Sequence, residues 1–376
     1  MPADHPPDHA ASAESILAAA RTEIDAIDRQ LVALLSDRAA AVKRIGAAKL
    51  AKGEAIFVPH REAAVFQRIC SFNHGPLRDS DLRAIWREIM SAAIALEQPQ
   101  TICHFGQPGA FTHAAARLKF GAAATYIHAD AIAAVFAEVE RGRADYGVVP
   151  IENSTDGTIT DTIDAFLATP LRIVSELHLR IRHHLLARCP RSDIRRIYSR
   201  HTVFGQCRQW LAANLPGVEL IEVVSTTKGA ERAAGDAEPG SAAIASEDAG
   251  RAYDLPVVAG DIQDNAGNLT RFVVVADPAK AAQPTGDDKT SLMFSVQDRP
   301  SALHDCLLPF HRGAINLSRI ESRPSRRRHW EYLFFIDISG HQQDPAVAEA
   351  IAGLRQQSSS CEILGSYPRA DRPLNE

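Results

Sequence analysis

The sequence predicts a multidomain chain with an all-α helical segment, then a two-lobed α/β segment, then a small α+β segment. Three observations predict it. Apolar residues recur at steps of three and four from Glu14 to about Ala51. From Thr101 to about Asp277 short apolar runs such as "YGVVPI", "LRIVSELHL", "SAAIAS" and "RFVVVA" alternate with helical stretches, the pattern of an α/β sheet. Beyond the proline-, glycine- and aspartate-rich stretch "DPAKAAQPTGDDK", the order becomes β-α-β-β-α-β, a ferredoxin-like arrangement typical of small regulatory modules. A length of 376 residues agrees with two or three domains.

Composition narrows the function classes. With 45% hydrophobic and 23% charged residues and a formal charge of −5, the chain reads as a soluble globular protein, not a general polyanion binder. The run "SRRRHW" reads as a solvated loop and not as a nucleic-acid patch, because no aromatics interleave it. The six cysteines are scattered without a C-x-x-C pair, so no metal site or disulfide framework is expected, and a reducing cytoplasm suits them. "MPADHPPDHA" lacks the basic and then apolar regions of a secretory signal, so residues 1–13 read as a disordered lead-in. No run approaches the 18 apolar residues of a membrane span.

Residues 14–98 form the helical segment. The stripe Ile24, Ile27, Leu31, Leu34, Val42 and Ile45 predicts one helix of roughly 55 Å at 1.5 Å per residue. Further helices are expected from about Pro59 to Phe72 and from Asp79 to Glu97, with Asp79 or Ser80 as N-cap. Two shorter helices cannot cover so long a stripe, which implies a dimer. Arg38 and Lys49 lie on the stripe itself, eleven residues apart and therefore on one face. Two unpaired cations on an apolar face cost several kcal/mol each, so an anionic ligand is the economical explanation. Arg21 lies about a quarter turn round and roughly 25 Å away, and should serve another site or a partner's.

Arg21, Arg38, Lys49 and "REAAV" with Arg61 and Glu62 resemble the all-helical chorismate mutases, which are intertwined dimers. The resemblance implies that the arginines hold the two carboxylates of chorismate, one arriving from the other subunit, and that Lys49 faces the ether oxygen. Glu62 is then assigned to the substrate hydroxyl. Such a rearrangement needs no proton transfer, only a folded substrate and stabilised charge on the breaking ether bond. Val58 stands where some members have aspartate, and Glu97 where a glutamine donates to the ether oxygen; Glu97 can donate there only when protonated.

In residues 101–277 the lobes are expected at about 101–178 with 270–277, and at 179–269. "FGQPGAFTHAAA" opens a helix after a strand, where free backbone N–H groups can bind an anion. "PIENSTDGTI" follows the strand "YGVV", a usual place for ligands in open α/β sheets, and "IYSRHTVFGQC" and "VVSTTKGA" repeat the arrangement. Individually, such serines and threonines are more often N-caps or turn residues. Ending in "NLTRF", the set resembles prephenate dehydratase, whose two lobes are similar to bacterial solute-binding proteins with the site in the cleft. The resemblance makes Asn153, Gln206, Thr270 and Arg271 catalytic candidates, and Ser199, Ser225 and Thr226 substrate contacts. Thr270 would assist a leaving hydroxyl and Arg271 would hold a carboxylate in the cleft. Ala110 replaces a hydroxyl residue of the family's glycine run, and Arg200 a common histidine.

Residues 278–289 read as a linker and 290–368 as the third domain. "SALHDCLLPF" and "ESRP" resemble the ACT regulatory domain, where such segments bind phenylalanine at a dimer interface. That implies effector contacts at Ala302, Leu303, His304, Glu321, Ser322, Arg323 and Pro324. Ser301 replaces a glycine and is expected to cap the helix that follows. The expectation is thus a cytoplasmic homodimer, or higher homo-oligomer, acting on chorismate and prephenate under phenylalanine control, with no cofactor, metal, nucleic acid or membrane. Alternatives are an arogenate dehydratase carrying a mutase domain, or a phenylalanine-binding regulatory protein with a decayed dehydratase site, motivated by Ala110 and Arg200.

Overall fold

A computed structural model describes the backbone of residues 9–52, 59–296, 299–324 and 332–370, with side chains for all of these except 9–12, 49–52, 59–61 and 63. Val58 and the basic run at 325–330 lie outside the described residues. The helices are α1 (His9–Lys52), α2 (Pro59–Ser71) and α3 (Asp79–Glu97). With α1 starting at His9, helix occupies part of the expected lead-in. Its alanine-rich start lets the helix run past the apolar stripe. Between α2 and α3, Asn73 Nδ2 donates to Leu77 O and to Asp79 Oδ1, at 2.9 and 2.8 Å, which closes the turn. The chain divides into two compact units: α1 with residues 93–98, and the remaining residues. On α1 the stripe residues Ile24, Ile27, Leu31 and Leu34 are 47 to 64% exposed.

The α/β segment holds two sheets. Its chain runs through β1 (Thr101–Phe105), α4 (Phe111–Phe120), β2 (Thr125–Ala129), α5 (Ile132–Glu140), β3 (Tyr146–Asn153), β4 (Gly157–Thr158), α6 (Thr160–Phe166) and β5 (Arg172–Arg180). The second lobe follows with β6 (His184–Ala187), β7 (Arg196–Ser199), α7 (His201–Gln206), α8 (Arg208–Asn214), β8 (Glu219–Glu222), α9 (Thr226–Gly235), β9 (Ser241–Ala245), α10 (Glu247–Ala252) and β10 (Val257–Ala259). The chain then returns as β11 (Leu269–Ala276), giving sheet orders β2-β1-β3-β11-β5 and β10-β6-β9-β7-β8. β11 is antiparallel to both its neighbours and buried on both faces, which is why Phe272 to Val275 are all apolar. β3 continues through Pro150 to Asn153, so "PIEN" belongs to the strand itself and does not follow it. Proline is tolerated because pairing with β1 ends at Val148, leaving no ladder bond on that side for its missing N–H.

Two crossovers join the lobes, at 181–183 and 260–268. They are tied to each other by Ile181 N to Asn268 O at 2.8 Å and Ile262 N to His183 O at 2.9 Å.

The last segment is β12 (Asp288–Val296), α11 (Ala302–Arg312), β13 (Leu317–Pro324), β14 (Tyr332–Ser339), α12 (Pro345–Gln357) and β15 (Ser360–Pro368), in sheet order β13-β14-β12-β15. β12 begins inside the stretch expected as linker. That stretch is also held down, since Lys280 Nζ meets Asp145 Oδ1 at 3.1 Å and lies 4.4 Å from the Tyr146 ring centre. β15 rests on β5 so closely that a Cβ on Gly365 would fall 2.1 Å from Ile173 O. Met293, Phe335, Leu364 and Tyr367 accordingly share one core with Ile163, Val273 and Val275 of the first lobe.

Two histidines are buried in the α/β segment. His104 of β1 stacks on His113 of α4 with ring centres 4.6 Å apart, and burial, reinforced by His113, lowers its pKa to about 4. Burial likewise lowers His183 to about 4, opposed in part by its hydrogen bond with Gln206. Both are neutral in the fold at neutral pH but protonate near pH 6.5 once unfolded. The unfolded chain therefore binds more protons between about pH 6.5 and about pH 4, and stability falls with acidification across that window. Thermal unfolding at a series of pH values should show this loss. A His104→Gln/His183→Gln double variant should show a shallower one, and an unchanged slope would contradict the assignment.

Candidate functional site

The C-terminal end of β3, the start of β11 and the two crossovers bring a set of polar side chains together. Asn153 and Thr270 are direct partners in the β3–β11 ladder. Asn153 Nδ2 donates to Thr270 Oγ1 and to Asn268 Oδ1, both at 2.8 Å, while its Oδ1 accepts from the backbone N–H groups of Thr155 and Asp156, both at 2.9 Å. Two backbone donors on one atom fix which end of the amide is oxygen. Asn153 thus fills an acceptor position of the Thr270 hydroxyl and leaves the hydroxyl proton to be donated elsewhere.

Asn268 carries the network into the second lobe. Its Nδ2 donates to Gln206 Oε1 at 3.1 Å, and Gln206 Nε2 donates to Asp156 Oδ2 at 2.8 Å. His183 Nε2 lies 2.7 Å from the same Gln206 oxygen and so carries the ring proton, leaving Nδ1 a buried atom with no partner among the described residues. The Phe111 and His183 rings pack nearly perpendicular to each other, with ring centres 5.5 Å apart. Asn268, His183 and Asp156 are site members missing from the sequence expectation. Asn268 stood two residues before Thr270 in "GNLTRF", on the same side of the strand by simple alternation. The histidine doublet carried no comparable signal.

The glycine run reaches the second lobe as well: Ser246 Oγ donates to Gly109 O at 2.6 Å. Gly106 and Gly109 both have positive φ, and Ala110 is the N-cap of α4 without a side-chain cap bond. The place of the lost hydroxyl is therefore a helix cap. Ser225 caps α9, accepting from Lys228 N at 3.0 Å, with Thr226 as the first helical residue. Ser199 is a correction. It is fully buried and its hydroxyl donates to Ile244 O of the neighbouring strand at 2.7 Å, so that hydroxyl braces the sheet.

Arg271 is the larger correction. As the next residue on β11 it faces away from Thr270, and only 7% of it is exposed. Nε donates to Glu176 of β5 at 2.7 Å, Nη2 to the Tyr367 hydroxyl of β15 at 2.9 Å, and Nη1 to Asp337 of β14. It does not project into the cleft, because three acceptors hold it against the C-terminal sheet.

Among the mutase candidates, Arg21 is exposed and Arg38 half-buried on α1, and the side chains of Lys49 and Arg61 lie outside the described residues. Glu97 folds over α1 near its end: its Cγ lies 2.8 Å from where a Cβ on Gly46 would stand, and its Oε2 is buried without a partner among the described residues. Glu62 of α2 pairs through one carboxylate oxygen with Lys119 of α4 at 2.5 Å.

In the last segment Ala302 is buried, Leu303 joins the local core and His304 is exposed. Ser301 has φ +63° and makes no cap bond; that backbone suits the glycine it replaces, so the expected cap is absent. On β13, Glu321 accepts from Thr158 Oγ1 at 2.8 Å, and Arg323 reaches Thr160 O at 3.0 Å and Asp164 at 2.6 Å, while Ser322 and Pro324 face outward.

The sequence matches two family models, chorismate mutase type II over residues 20–98 and prephenate dehydratase over residues 102–280. It is 42% identical over 355 residues to the bifunctional chorismate mutase/prephenate dehydratase of Aquifex aeolicus, covering 93% of this chain and 97% of the relative. Identity to the Pseudomonas aeruginosa protein of the same name is also 42%, over 94% of this chain and 98% of that one. The crystal structure of prephenate dehydratase from Arthrobacter aurescens in complex with L-Phe aligns with a TM-score of 0.68 at 39% identity, covering 73% of this chain and 91% of that one. Both family segments in one chain, in the order of those relatives and over nearly their full length, make this protein a member of the bifunctional chorismate mutase/prephenate dehydratase family.

Proposed function

We propose that the chain converts chorismate to prephenate in its helical segment and prephenate to phenylpyruvate in its α/β segment, in the cytoplasm, under feedback by phenylalanine. On this reading the two lobes form a periplasmic-binding-protein-like cleft and the β-α-β-β-α-β segment is an ACT domain. Phenylalanine control is supported by the L-Phe complex of the Arthrobacter relative. A homodimer is supported by the exposed apolar stripe of α1, which a second copy would cover.

The observation that carries the dehydratase reading is the Asn153–Thr270 hydrogen bond. Loss of carbon dioxide and hydroxide from prephenate yields an aromatic ring, so the protein's task is to help hydroxide leave. A threonine hydroxyl whose oxygen already accepts from an amide is polarised and turns its proton outward, as a donor to that hydroxyl must. Asn268 and Gln206 hold the amide in turn. With Arg271 withdrawn, substrate carboxylates fall to the backbone N–H groups at the starts of α4 and α9. In the helical segment Arg21, Arg38, Lys49 and Arg61 remain the anion-binding set, with Lys49 stabilising charge on the ether oxygen.

A coupled assay separates the two activities. Thr270→Ala should still turn chorismate into prephenate but lose phenylpyruvate formation by about 10²–10³-fold, the usual effect of removing one transition-state donor. Lys49→Ala should do the reverse, dehydrating supplied prephenate while failing to make it. Loss of both activities in either variant would contradict the division of labour. Glu97 gives a second test, because only its protonated form can donate to the ether oxygen. Glu97→Gln, whose amide donates without titrating, should keep or raise mutase turnover, and a loss of turnover sinks that role.

A further inference from the structure

Arg271 sits beside Thr270 in sequence and opposite to it in space. The β11 ladder is irregular at this point: Thr270 faces Asn153 and Arg271 faces Glu152, but Phe272 faces Pro150, so Ile151 is bulged out. A bulge re-aims side chains and loosens the backbone alignment that a regular ladder would impose. The position of Thr270 therefore depends on what anchors its neighbour.

That anchor is built from two domains. Glu176 Oε1 accepts from Lys289 Nζ of β12 at 2.9 Å and from Ala370 N at 3.1 Å, while its other oxygen takes Arg271 Nε. Ser291 of β12 hydrogen-bonds both Asp337 and the Tyr367 hydroxyl. The inner charges balance, with Arg271 and Lys289 against Glu176 and Asp337, all of them buried. Glu152, the strand partner of Arg271, lies 3.7 Å from Nη1 and 3.5 Å from Arg319 Nε of β13. Arg319, Glu321 and Arg323, alternate residues of β13, all engage the stretch 152–164, which begins in the last two residues of the site strand.

We propose that Arg271 is a positioning residue and not a substrate ligand: through Glu176, Asp337 and Tyr367 it sets the Thr270–Asn153 pair according to how the C-terminal sheet is seated on the first lobe. The inference rests on the dehydratase reading of that pair. A guanidinium suits the role, since its planar fork holds its donors in fixed directions, whereas the three donors of a lysine ammonium sit on one atom at the end of a flexible stem. A small shift of β11 would displace the Thr270 hydroxyl, and misplacement by about 1 Å can cost of the order of 10²-fold in rate.

The test uses the full-length protein and compares Arg271→Lys, Asp337→Asn, Tyr367→Phe and the Arg271→Lys/Asp337→Asn double variant. Mutase turnover and thermal unfolding are measured on each as controls for folding. Prephenate dehydration is expected to lose about tenfold or more in kcat in Arg271→Lys and to fall in the two partner variants, with KM within about twofold of wild type. The double variant should be no worse than its weaker parent, as residues acting through one linkage behave. Tyr367→Phe removes only one hydroxyl, so it keeps the question answerable if the charge variants fail to fold. A rise in KM in Arg271→Lys, with Asp337→Asn and Tyr367→Phe unchanged, overturns the inference in favour of a carboxylate ligand. Wild-type kcat and KM in all variants overturn it in favour of a purely structural cluster. A wild type inert toward prephenate overturns the dehydratase reading and the inference together.

Discussion

A guanidinium buried among two carboxylates and a phenol at the seam of two sheets is the constraint on which the packing of the first lobe against the C-terminal sheet depends. Leaving such a cation without its partners would cost several kcal/mol, as much as a large core truncation. Arg271 is satisfied only when β5, β14 and β15 close around β11, so the first lobe and the C-terminal sheet are bound to assemble on one another. Burial alone would raise the Asp337 carboxyl, but the charge of Arg271 outweighs it and holds the group ionised below the ordinary carboxylate range. Burial also keeps the Tyr367 hydroxyl protonated, well above its usual range, as a neutral partner should be. The close seating of Gly365 on Ile173 follows from the same closure.

Strand alternation then decides the rest of the site. Once Arg271 is turned toward the C-terminal sheet, Thr270 must face the other way, where Asn153 meets it. Asn268 shares that face and lies in the second crossover, so the site's hydrogen bonds pass through the joint between lobes on their way to Gln206 and His183. A site built across such a joint is sensitive to the relative setting of the lobes, which is useful where a reaction is to be regulated and water excluded.

Much of this was legible in the sequence where the signal is local. The three segments follow from changes in apolar periodicity, and resemblance to prephenate dehydratase is what joins "IEN" and "LTRF" into one polar set. The errors share a cause. Thr270 and Arg271 were both assigned to the cleft, although adjacent strand residues point to opposite faces; that rule alone would have parted them and admitted Asn268. The partners of Arg271 lie 95, 66 and 96 residues away along the chain, at Glu176, Asp337 and Tyr367, and no local pattern announces them. The family resemblance implies a substrate contact at Ser199, but its hydroxyl donates to a strand carbonyl. The pairing of Glu62 with Lys119 is likewise a long-range contact, 57 residues apart.

The most direct measurement is a crystal structure of the full chain with a stable, non-reacting analogue of prephenate in the cleft between the lobes. The account requires the analogue's ring hydroxyl to lie within hydrogen-bond distance of Thr270 Oγ1, with Asn153 still donating to that oxygen. It also requires Arg271 to remain on Glu176, Asp337 and Tyr367 without touching the ligand. A carboxylate of the analogue bound by Arg271, with those three contacts broken, would contradict it.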